Sequence, residues 1–338
     1  MESVNIKKLA QILNLSISAV SKALRDSHDI SKETKEKVIA LATELNYQPN
    51  PYASSLRKHK SKTIAVIIPE IANNYFTLAI NGIESIAQEK NYHVLIYLTH
   101  EDVKKEIALT KYLHGGRVDG VLISVSSTTT DYTHLNQLVE NGLPIVFFDR
   151  VCEPFNTVKV TTDDYESSYI ATRHLIDQGC KKPAHLAMSA NISIGNKRMK
   201  GYMQALADSG LPVDESLIIQ CVNNDKQDFI LIKELLQKQQ PDGIFAAVEQ
   251  YALGVYDVCR QLNLSIPKDV KVICFSNLKT ASFLNPSLTT ITQPAFEIGK
   301  EAAAVLFKAL DKKTFHLTDE NIVIRSALVA RESTARLF

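Results

Sequence analysis

The 338-residue chain has no long hydrophobic run. No apolar segment approaches the roughly 20 residues that a bilayer-spanning helix needs, so no membrane partner is expected. The N-terminal segment MESVNIKKLAQIL has neither an uninterrupted apolar stretch nor a small-residue cleavage site, which argues against export. The sequence therefore predicts a protein that stays in the cytoplasm.

Cysteine and catalytic motifs are equally sparse. The five cysteines are scattered singly, without a Cys-x-x-Cys pair, so we expect reduced buried thiols rather than disulfides or a zinc site. The segment PEIANNYF lacks the glycine-rich turn of a dehydrogenase, and G-x-x-x-x-G-K-[ST], G-x-S-x-G and H-E-x-x-H do not occur. These absences predict a protein that is not an enzyme and uses no cofactor or metal.

Charge is distributed unevenly along the chain. Residues 1–62 contain 11 lysines and arginines but 6 acidic residues, whereas the remainder contains 27 basic and 31 acidic residues. A basic N-terminal part on an acidic body indicates that this part meets a polyanion.

The N-terminal 48 residues have the pattern of three short helices. Asn5, Ser16 and Ser31 can cap helices over IKKLAQIL, ISAVSKAL and KETKEKVIALATEL. The tight turn Asn14-Leu15 separates the first two, which is typical of a helix-turn-helix.

The second of these helices has an outward face suited to DNA. In a helix-turn-helix this segment enters the major groove, where Lys22 can donate to guanine and Ile17 can contact a thymine methyl. Ser16 and Ser21 suit phosphate positioning, and Ser18 lies between them. An exposed amphipathic helix with a capping serine explains each residue singly, but the set favours DNA binding.

Residues 49–62, PNPYASSLRKHKSK, have the composition of a linker. Pro49 and Pro51 end the third helix, and the cations that follow are compatible with a disordered basic tether.

From Thr63 onward, apolar runs alternate with amphipathic helical segments. Such alternation predicts parallel sheets covered by helices on both faces. A break near Asp163-Asp164 divides the series into two Rossmann-like lobes, and ligands of such lobes bind beyond the carboxyl ends of the strands. The predicted strands are 63–69, 93–98, 118–125, 143–149, 183–188, 242–247 and 270–275; the predicted helices lie near 76–90, 102–114, 166–178, 196–208, 228–238, 249–263 and 295–310.

These patterns resemble the lactose-repressor (LacI/GalR) family of bacterial transcription regulators over nearly the whole chain. Its N-terminal pattern is matched at Val4, Ala10, Ser16, Val20-Ser21-Lys22, Ser31, Thr34-Lys35, Lys37-Val38 and Leu45 to Asn50. Body segments such as HLIDQGCKKPAHLAM, NKRMKGYMQAL and the ending LVARES are also similar to family blocks.

The resemblance implies an N-terminal all-α helix-turn-helix domain plus a bilobal α/β core of the periplasmic-binding-protein type. The boundaries it implies are 1–48 for the DNA-binding domain, 49–62 for a hinge helix and 63–338 for the core. Within the core, the N-subdomain would comprise 63–163 and 292–323, and the C-subdomain 164–291 and 324–338.

The resemblance also implies DNA contacts. Leu56 stands where the family inserts a leucine into the minor groove, a device that kinks the duplex. Asn5 and Ala19 replace threonines, and Lys22 replaces a frequent arginine, so the operator sequence cannot be transferred from relatives. The DNA-binding candidates are Asn5, Ser16, Ile17, Ser18, Ser21, Lys22, Ser31, Tyr47, Asn50, Ala53 and Leu56.

A second set of residues matches family positions near the ligand. Asp149 closes a strand, and the planar guanidinium of Arg198 suits ligand hydroxyls or a carboxylate better than a solvated surface role. Tyr75 and Phe76 can stack on a ring or lie in the core, with similar odds. Asp163 is either a ligand contact or a helix cap.

Departures from the family pattern bear on ligand chemistry. Ser276-Asn277 stand where many relatives have two aspartates, Val248 replaces an asparagine, and Asn223 replaces an aromatic residue. Ser276, Val248 and Asn223 complete the candidate set for effector binding. A pocket that has lost its usual acid favours an acidic or phosphorylated sugar derivative over a neutral sugar.

We therefore expect a cytoplasmic, nucleoid-associated regulator, with repression the expected direction and activation the alternative. Its partners would be a palindromic double-stranded DNA operator, a sugar-like effector and a second copy of the chain. No heptad tail follows Arg331, which favours a dimer over a tetramer. A solute-binding protein of a sugar transport system would need an export signal and no basic head, and a sugar-processing enzyme would need a catalytic set. Effector identity, and whether it induces or co-represses, stay open.

Overall fold

A computed structural model describes residues 5–47, 60–113, 115–189, 191–311 and 316–336. The chain divides into two compact units, Met1–Ser61, called the head, and Lys62–Phe338, called the core.

The described part of the head contains three helices, α1 (Ile6–Ile12), α2 (Ile17–Ala23) and α3 (Lys32–Glu44). Each predicted cap forms, because the side-chain oxygens of Asn5, Ser16 and Ser31 accept backbone N–H bonds of 3.1, 3.1 and 3.3 Å, respectively. The helices bury one small cluster, which includes Leu9, Ala10, Val20, Ala23, Val38 and Ala42. The three predicted helices are confirmed to within a residue at their ends.

The core contains two six-stranded sheets. The strands of the first are β1 (Thr63–Ile68), β2 (His93–Leu98), β3 (Gly120–Ile123), β4 (Ile145–Phe148), β5 (Val158–Thr162) and β11 (Glu320–Ile324). They are parallel and run in the order β11-β5-β4-β3-β1-β2. We call this half the N-lobe.

The second sheet forms the C-lobe. Its strands are β6 (Pro183–Ala187), β7 (Ile218–Gln220), β8 (Gly243–Ala246), β9 (Lys271–Phe275), β10 (Thr289–Thr292) and β12 (Ala327–Val329). Their order is β12-β10-β9-β8-β6-β7, and β12 alone pairs antiparallel, with β10.

Helices cover both faces of the sheets, as the alternating pattern predicts. They are α4 (Asn74–Glu89), α5 (Val103–Leu113), α6 (Thr133–Glu140), α7 (Asp164–Asp177), α8 (Ser193–Asp208), α9 (Asp225–Lys238), α10 (Glu249–Leu262) and α11 (Ala295–Asp311). Short 3-10 turns occupy Glu215–Leu217, Lys279–Phe283 and Glu332–Thr334. Among the described residues, none of the helices is both long and apolar enough to cross a bilayer.

The chain passes between the lobes three times: from β5 to α7, from β10 to α11, and from β11 to β12. All five cysteines are buried free thiols, as their scattered positions predict.

Two glycines let α4 and α11 pack at short range in the N-lobe. A Cβ atom on Gly299 would lie 1.9 Å from the carbonyl oxygen of Ala79, and one on Gly82 would lie 2.0 Å from that of Phe296. Both clashes are with backbone, so neither position accepts a larger side chain without separating the helices.

A buried histidine lies within the C-lobe. His185 is stacked between Phe245 and Tyr202, with ring centroids 4.6 and 5.1 Å away, and its Nδ1 is 3.0 Å from the Phe245 carbonyl oxygen. Burial lowers the pKa of His185 to about 4, opposed by the Phe245 carbonyl and assisted by Arg198.

We expect this histidine to make stability depend on pH. The unfolded chain binds the proton near the ordinary pKa of 6.5 while the folded chain binds it only near 4, so folding stability falls as pH drops through that interval. Between about pH 7.5 and about pH 5, the wild type should lose about 2 kcal/mol more unfolding free energy than His185→Gln in urea titrations. Parallel pH profiles for the two proteins would contradict the prediction.

Candidate functional site

The exposed face of α2 carries the predicted base-reading residues. Ile17 is 40% exposed although apolar, Ser16 and Ser18 are also exposed, and Ser21 and Lys22 are half-buried. The Lys22 ammonium lies 2.9 Å from a carboxylate oxygen of Asp29. This exposed ion pair is weak enough to exchange for a phosphate or a base edge.

The remaining DNA candidates that the structure describes lie at or just beyond helix ends. Asn5 and Ser31 cap α1 and α3, and Tyr47 packs against the head's cluster while its N–H donates to the Ala42 carbonyl at 2.8 Å. Arg25 was not among the candidates, yet its guanidinium donates to the carbonyl and hydroxyl oxygens of Ser21, at 2.9 and 3.0 Å. Asn50, Ala53 and Leu56 lie outside the described residues.

In the core, polar side chains gather at the carboxyl ends of the strands of both lobes. On the N-lobe, Asp149 follows β4 with a φ of 61° and is 6% exposed. Its Oδ2 accepts from the Ser124 hydroxyl at 3.1 Å, and burial raises the pKa of Asp149. The next residue, Arg150, is also buried and donates to Glu101 at 2.5 Å.

On the C-lobe, Arg198 of α8 is 2% exposed, and all three of its guanidinium nitrogens have polar partners. Its Nε and Nη2 lie 2.8 and 2.7 Å from Asp164 Oδ1, and its Nη1 donates to the Ala247 carbonyl at 2.5 Å. The guanidinium also lies over the Phe275 ring, 3.7 Å from the centroid. Burial raises the pKa of Asp164 to about 6, although Arg198 opposes the shift.

Tyr75 and Phe76 separate into two environments. Phe76 is 2% exposed and packs edge-on against Phe148 at 6.5 Å, so it lies in the N-lobe core. The buried Tyr75 hydroxyl has no hydrogen-bond partner within the described part of the chain. Burial raises the pKa of Tyr75 well above its ordinary value, and the negative charges of Asp149 and Asp164 add to the shift.

The other candidates have specific partners. Asn223 accepts from the Tyr251 hydroxyl at 2.5 Å, and Val248 occupies the N-cap of α10 while packing on the C-lobe core. Asp163 Oδ1 accepts from the Ser326 N–H at 2.8 Å and the Ser167 hydroxyl at 3.0 Å. Asp163 therefore joins two of the three interlobe crossovers.

Glu249, the first residue of α10, was also missed by the sequence analysis. Its Oε1 accepts from the Asn74 amide at 2.8 Å, and its Oε2 accepts from the Ser276 hydroxyl at 2.7 Å. Asn74 belongs to the N-lobe and Ser276 to the C-lobe, so one carboxylate joins the lobes. Arg150, Asp164 and Glu249 were not among the predicted site residues. Each directly follows a predicted residue in the sequence, and this adjacency is the signal that could have identified it.

Two further contacts cross between the lobes. The Val151 N–H donates to the Ser193 hydroxyl at 3.2 Å, and Lys197 lies 3.0 Å from Glu153. The strand ends of the two lobes thus face a shared cleft lined by buried charges.

A helix-turn-helix head joined to a bilobal core with a polar cleft defines the class of ligand-responsive DNA-binding proteins. Residues 5–50 match the model of "Bacterial regulatory proteins, lacI family", and residues 61–332 match that of "Periplasmic binding proteins and sugar binding domain of LacI family". The chain belongs to the LacI family of DNA-binding transcriptional regulators.

Characterised relatives span the whole chain. The catabolite control protein A of Priestia megaterium is 30% identical, over 95% of this chain and 96% of its own length. The ribose operon repressor of Haemophilus influenzae is 28% identical, over 97% and 98%. These relatives are transcriptional regulators rather than enzymes, which confirms the predicted family and the absence of an enzymatic role.

Solved structures show the same architecture. The regulator CelR in complex with cellobiose is 25% identical, with a TM-score of 0.74 over 98% of this chain and 99% of that one. A LacI-family regulator from Enterococcus faecium with bound ribose is 28% identical, with a TM-score of 0.71 over 82% and 100%. The lac repressor dimer bound to operator and the anti-inducer ONPF, at 21% identity, shares the fold with a TM-score of 0.86 over 99% and 100%. The predicted fold class is confirmed.

Proposed function

We propose that this regulator acts in the cytoplasm as a homodimeric repressor. Its two heads bind a palindromic operator on the nucleoid, and its affinity for that operator changes when a sugar or sugar derivative binds in the cleft. The observation that carries the proposal is the meeting of buried charged side chains from both lobes, because a ligand contacting both lobes must bias their relative angle. Such allosteric coupling is reciprocal and typically about 1–3 kcal/mol.

In this proposal, residues 49–62 transmit the lobe angle to the heads as a hinge. Ile17, Ser18 and Lys22 contact bases, and the cap residues and Ser21 position phosphates. The relatives crystallised with cellobiose and ribose support a sugar as the ligand class.

The ligand contacts we propose are Tyr75, Asp149, Arg198, Asn223 and Ser276. For three other candidates we propose an indirect role in shaping the cleft. Phe76 and Val248 pack in the lobe cores, and Asp163 lies at the crossovers between the lobes.

The proposed dimer is supported by the apolar surface of the N-lobe. The edge strand β2 leaves Leu95 and Ile96 exposed, and Tyr112 of α5 is 60% exposed. Exposed apolar side chains on an edge strand promote aggregation unless another protein surface covers them.

A gel shift tests the function. At moderate salt, the full chain should retard a DNA fragment from upstream of its own gene in preference to random duplex. A bound metabolite should change the affinity for that fragment. The absence of any preference, with or without sugars, would refute the proposal.

Replacing Lys22 tests the DNA-facing helix. Lys22→Ala should weaken operator binding about tenfold, because it removes a cation without disturbing the buried face of α2. Lys111→Ala, a charge-matched change on α5 of the core, should leave operator affinity unchanged. Equal effects of the two substitutions would place the DNA contact elsewhere.

Leu56→Ala tests the proposed minor-groove wedge. We expect operator affinity to fall by about tenfold or more, since the unstacked base step loses its apolar partner, while sugar-induced thermal stabilisation stays the same. Unchanged operator affinity would remove the wedge from the mechanism.

A further inference from the structure

The acidic side chain missing from positions 276–277 is supplied from another element. Ser276, immediately after β9, donates its hydroxyl to Glu249, which begins α10 just beyond the end of β8. The second oxygen of Glu249 accepts from Asn74 at the start of α4. The carboxylate therefore lies at the carboxyl ends of strands from both lobes, within the cleft.

The buried cations of the cleft are already neutralised. Arg198 is paired with Asp164 at 2.7 Å, and Arg150 with Glu101 at 2.5 Å. Asp149 and Glu249 accept hydrogen bonds from uncharged donors, and the nearest cationic nitrogen to Asp149, Arg150 Nε, is 4.0 Å away. Among the described cleft residues, four carboxylates, those of Glu101, Asp149, Asp164 and Glu249, therefore accompany two guanidinium groups, those of Arg150 and Arg198.

Unsatisfied polar atoms show what the cleft can bind. Among the described residues, five buried polar atoms have no hydrogen-bond partner: the Tyr75 hydroxyl, Asp164 Oδ2, Arg150 Nε, Asn277 Oδ1 and His185 Nε2. His185 is stacked between Phe245 and Tyr202, and the other four offer a group that donates or accepts, two acceptors and one donor. Ligand hydroxyls, which donate and accept, match this set without adding charge.

We propose that the cleft selects an uncharged polyhydroxy compound and that Glu249 is the residue that rejects its anionic counterparts. The inference rests on the proposed function, since it specifies the ligand of the same cleft. A carboxylate or phosphate in the cleft would lie beside Asp149 and Glu249, in surroundings of low dielectric constant, and the guanidinium groups among the described cleft residues are already paired with carboxylates. This reverses the preference for an acidic sugar derivative that the residues at 276–277 suggested.

The test uses matched sets of sugars built on pentoses, hexoses and disaccharides. Each set contains a neutral sugar, its carboxylate form and its phosphate form, for example glucose, glucuronate and glucose 6-phosphate. Titration calorimetry on the full chain, after a thermal-shift screen, should give a Kd for the preferred neutral sugar at least about tenfold below that of its anionic forms.

Two substitutions separate charge from shape. Glu249→Gln keeps the side-chain size and should reduce the discrimination to less than about threefold, whereas Glu249→Asp keeps the charge and should retain it. Glu140→Gln removes an exposed carboxylate at the end of α6, on the side of the N-lobe away from the cleft, and should match the wild type. A structural role for Glu249 would affect the Gln and Asp variants alike.

The inference is overturned if an anionic sugar binds as tightly as its neutral form, if no neutral sugar binds, or if Glu249→Gln keeps the full discrimination. Gel shifts on the same preparations keep this result separate from the proposed function. If the protein binds its operator but binds an anionic sugar more tightly than the neutral one, only the charge selection is refuted. If it does not bind the operator, the regulatory role is refuted.

Discussion

Arg198→Leu should cost the core about 3–5 kcal/mol of unfolding free energy and abolish its response to sugars. The guanidinium is 2% exposed, and its removal leaves the Asp164 carboxyl buried without the two nitrogens that donate to its Oδ1, and the Ala247 carbonyl without a donor. Urea denaturation measures the stability, and a thermal-shift titration measures the response to ligand.

Two variants serve as controls for this experiment. Arg260→Leu removes an arginine on α10 that is 82% exposed and paired with Asp257, and it should cost less than about 1 kcal/mol. Adding Asp164→Asn to Arg198→Leu should recover part of the lost stability, because no unpaired charge then remains buried. A loss below about 1 kcal/mol for Arg198→Leu would show that the pair contributes little.

Gly299→Ala should destabilise the N-lobe by about 3 kcal/mol, or prevent its folding. The added methyl group would lie 1.9 Å from a backbone oxygen of α4, so α4 and α11 must separate. Because α4 begins with Asn74 and Tyr75, any protein that still folds should also bind its ligand more weakly.

Gly254→Ala provides the matched comparison. Gly254 also lies inside a helix, α10, but its added methyl meets only the flexible end of Ile232, at 3.0 Å. That substitution should be neutral or stabilise by up to about 1 kcal/mol, since alanine favours helix. Equal melting temperatures for the two variants would contradict the close packing of α4 and α11.

The sequence predicted the elements that have a strong period and clear boundaries. The three caps of the head and the seven predicted strands of the core all form. Helix α6 and the strands β5, β7, β10, β11 and β12 were not predicted. These elements are short, and β5 contains a buried lysine, Lys159, whose ammonium is satisfied by the Phe155 carbonyl and by Asp319, 160 residues away.

The sequence predicted where in the fold the cleft residues lie, but not which residues they are paired with. Asp149 and Arg198 lie at strand ends or face them, as the pattern implied. Their partners could not be deduced, because hydrogen bonds such as Asn74 to Glu249 join residues 175 positions apart. The expectation of a less acidic pocket considered residues at one loop, whereas the fold brings Glu249 to that loop from another element, and the proposed ligand differs from the expected one for this reason.

The position of β11 beside β5 has a consequence for how the protein is made. Val158 pairs with Glu320, so the N-lobe sheet is completed only after five of the six C-lobe strands have been synthesised. The buried cluster of the head, by contrast, is formed by residues between Ile6 and Tyr47 in the described part of the chain. A nascent chain emerging from the ribosome would therefore contain a folded DNA-binding domain long before the core is complete.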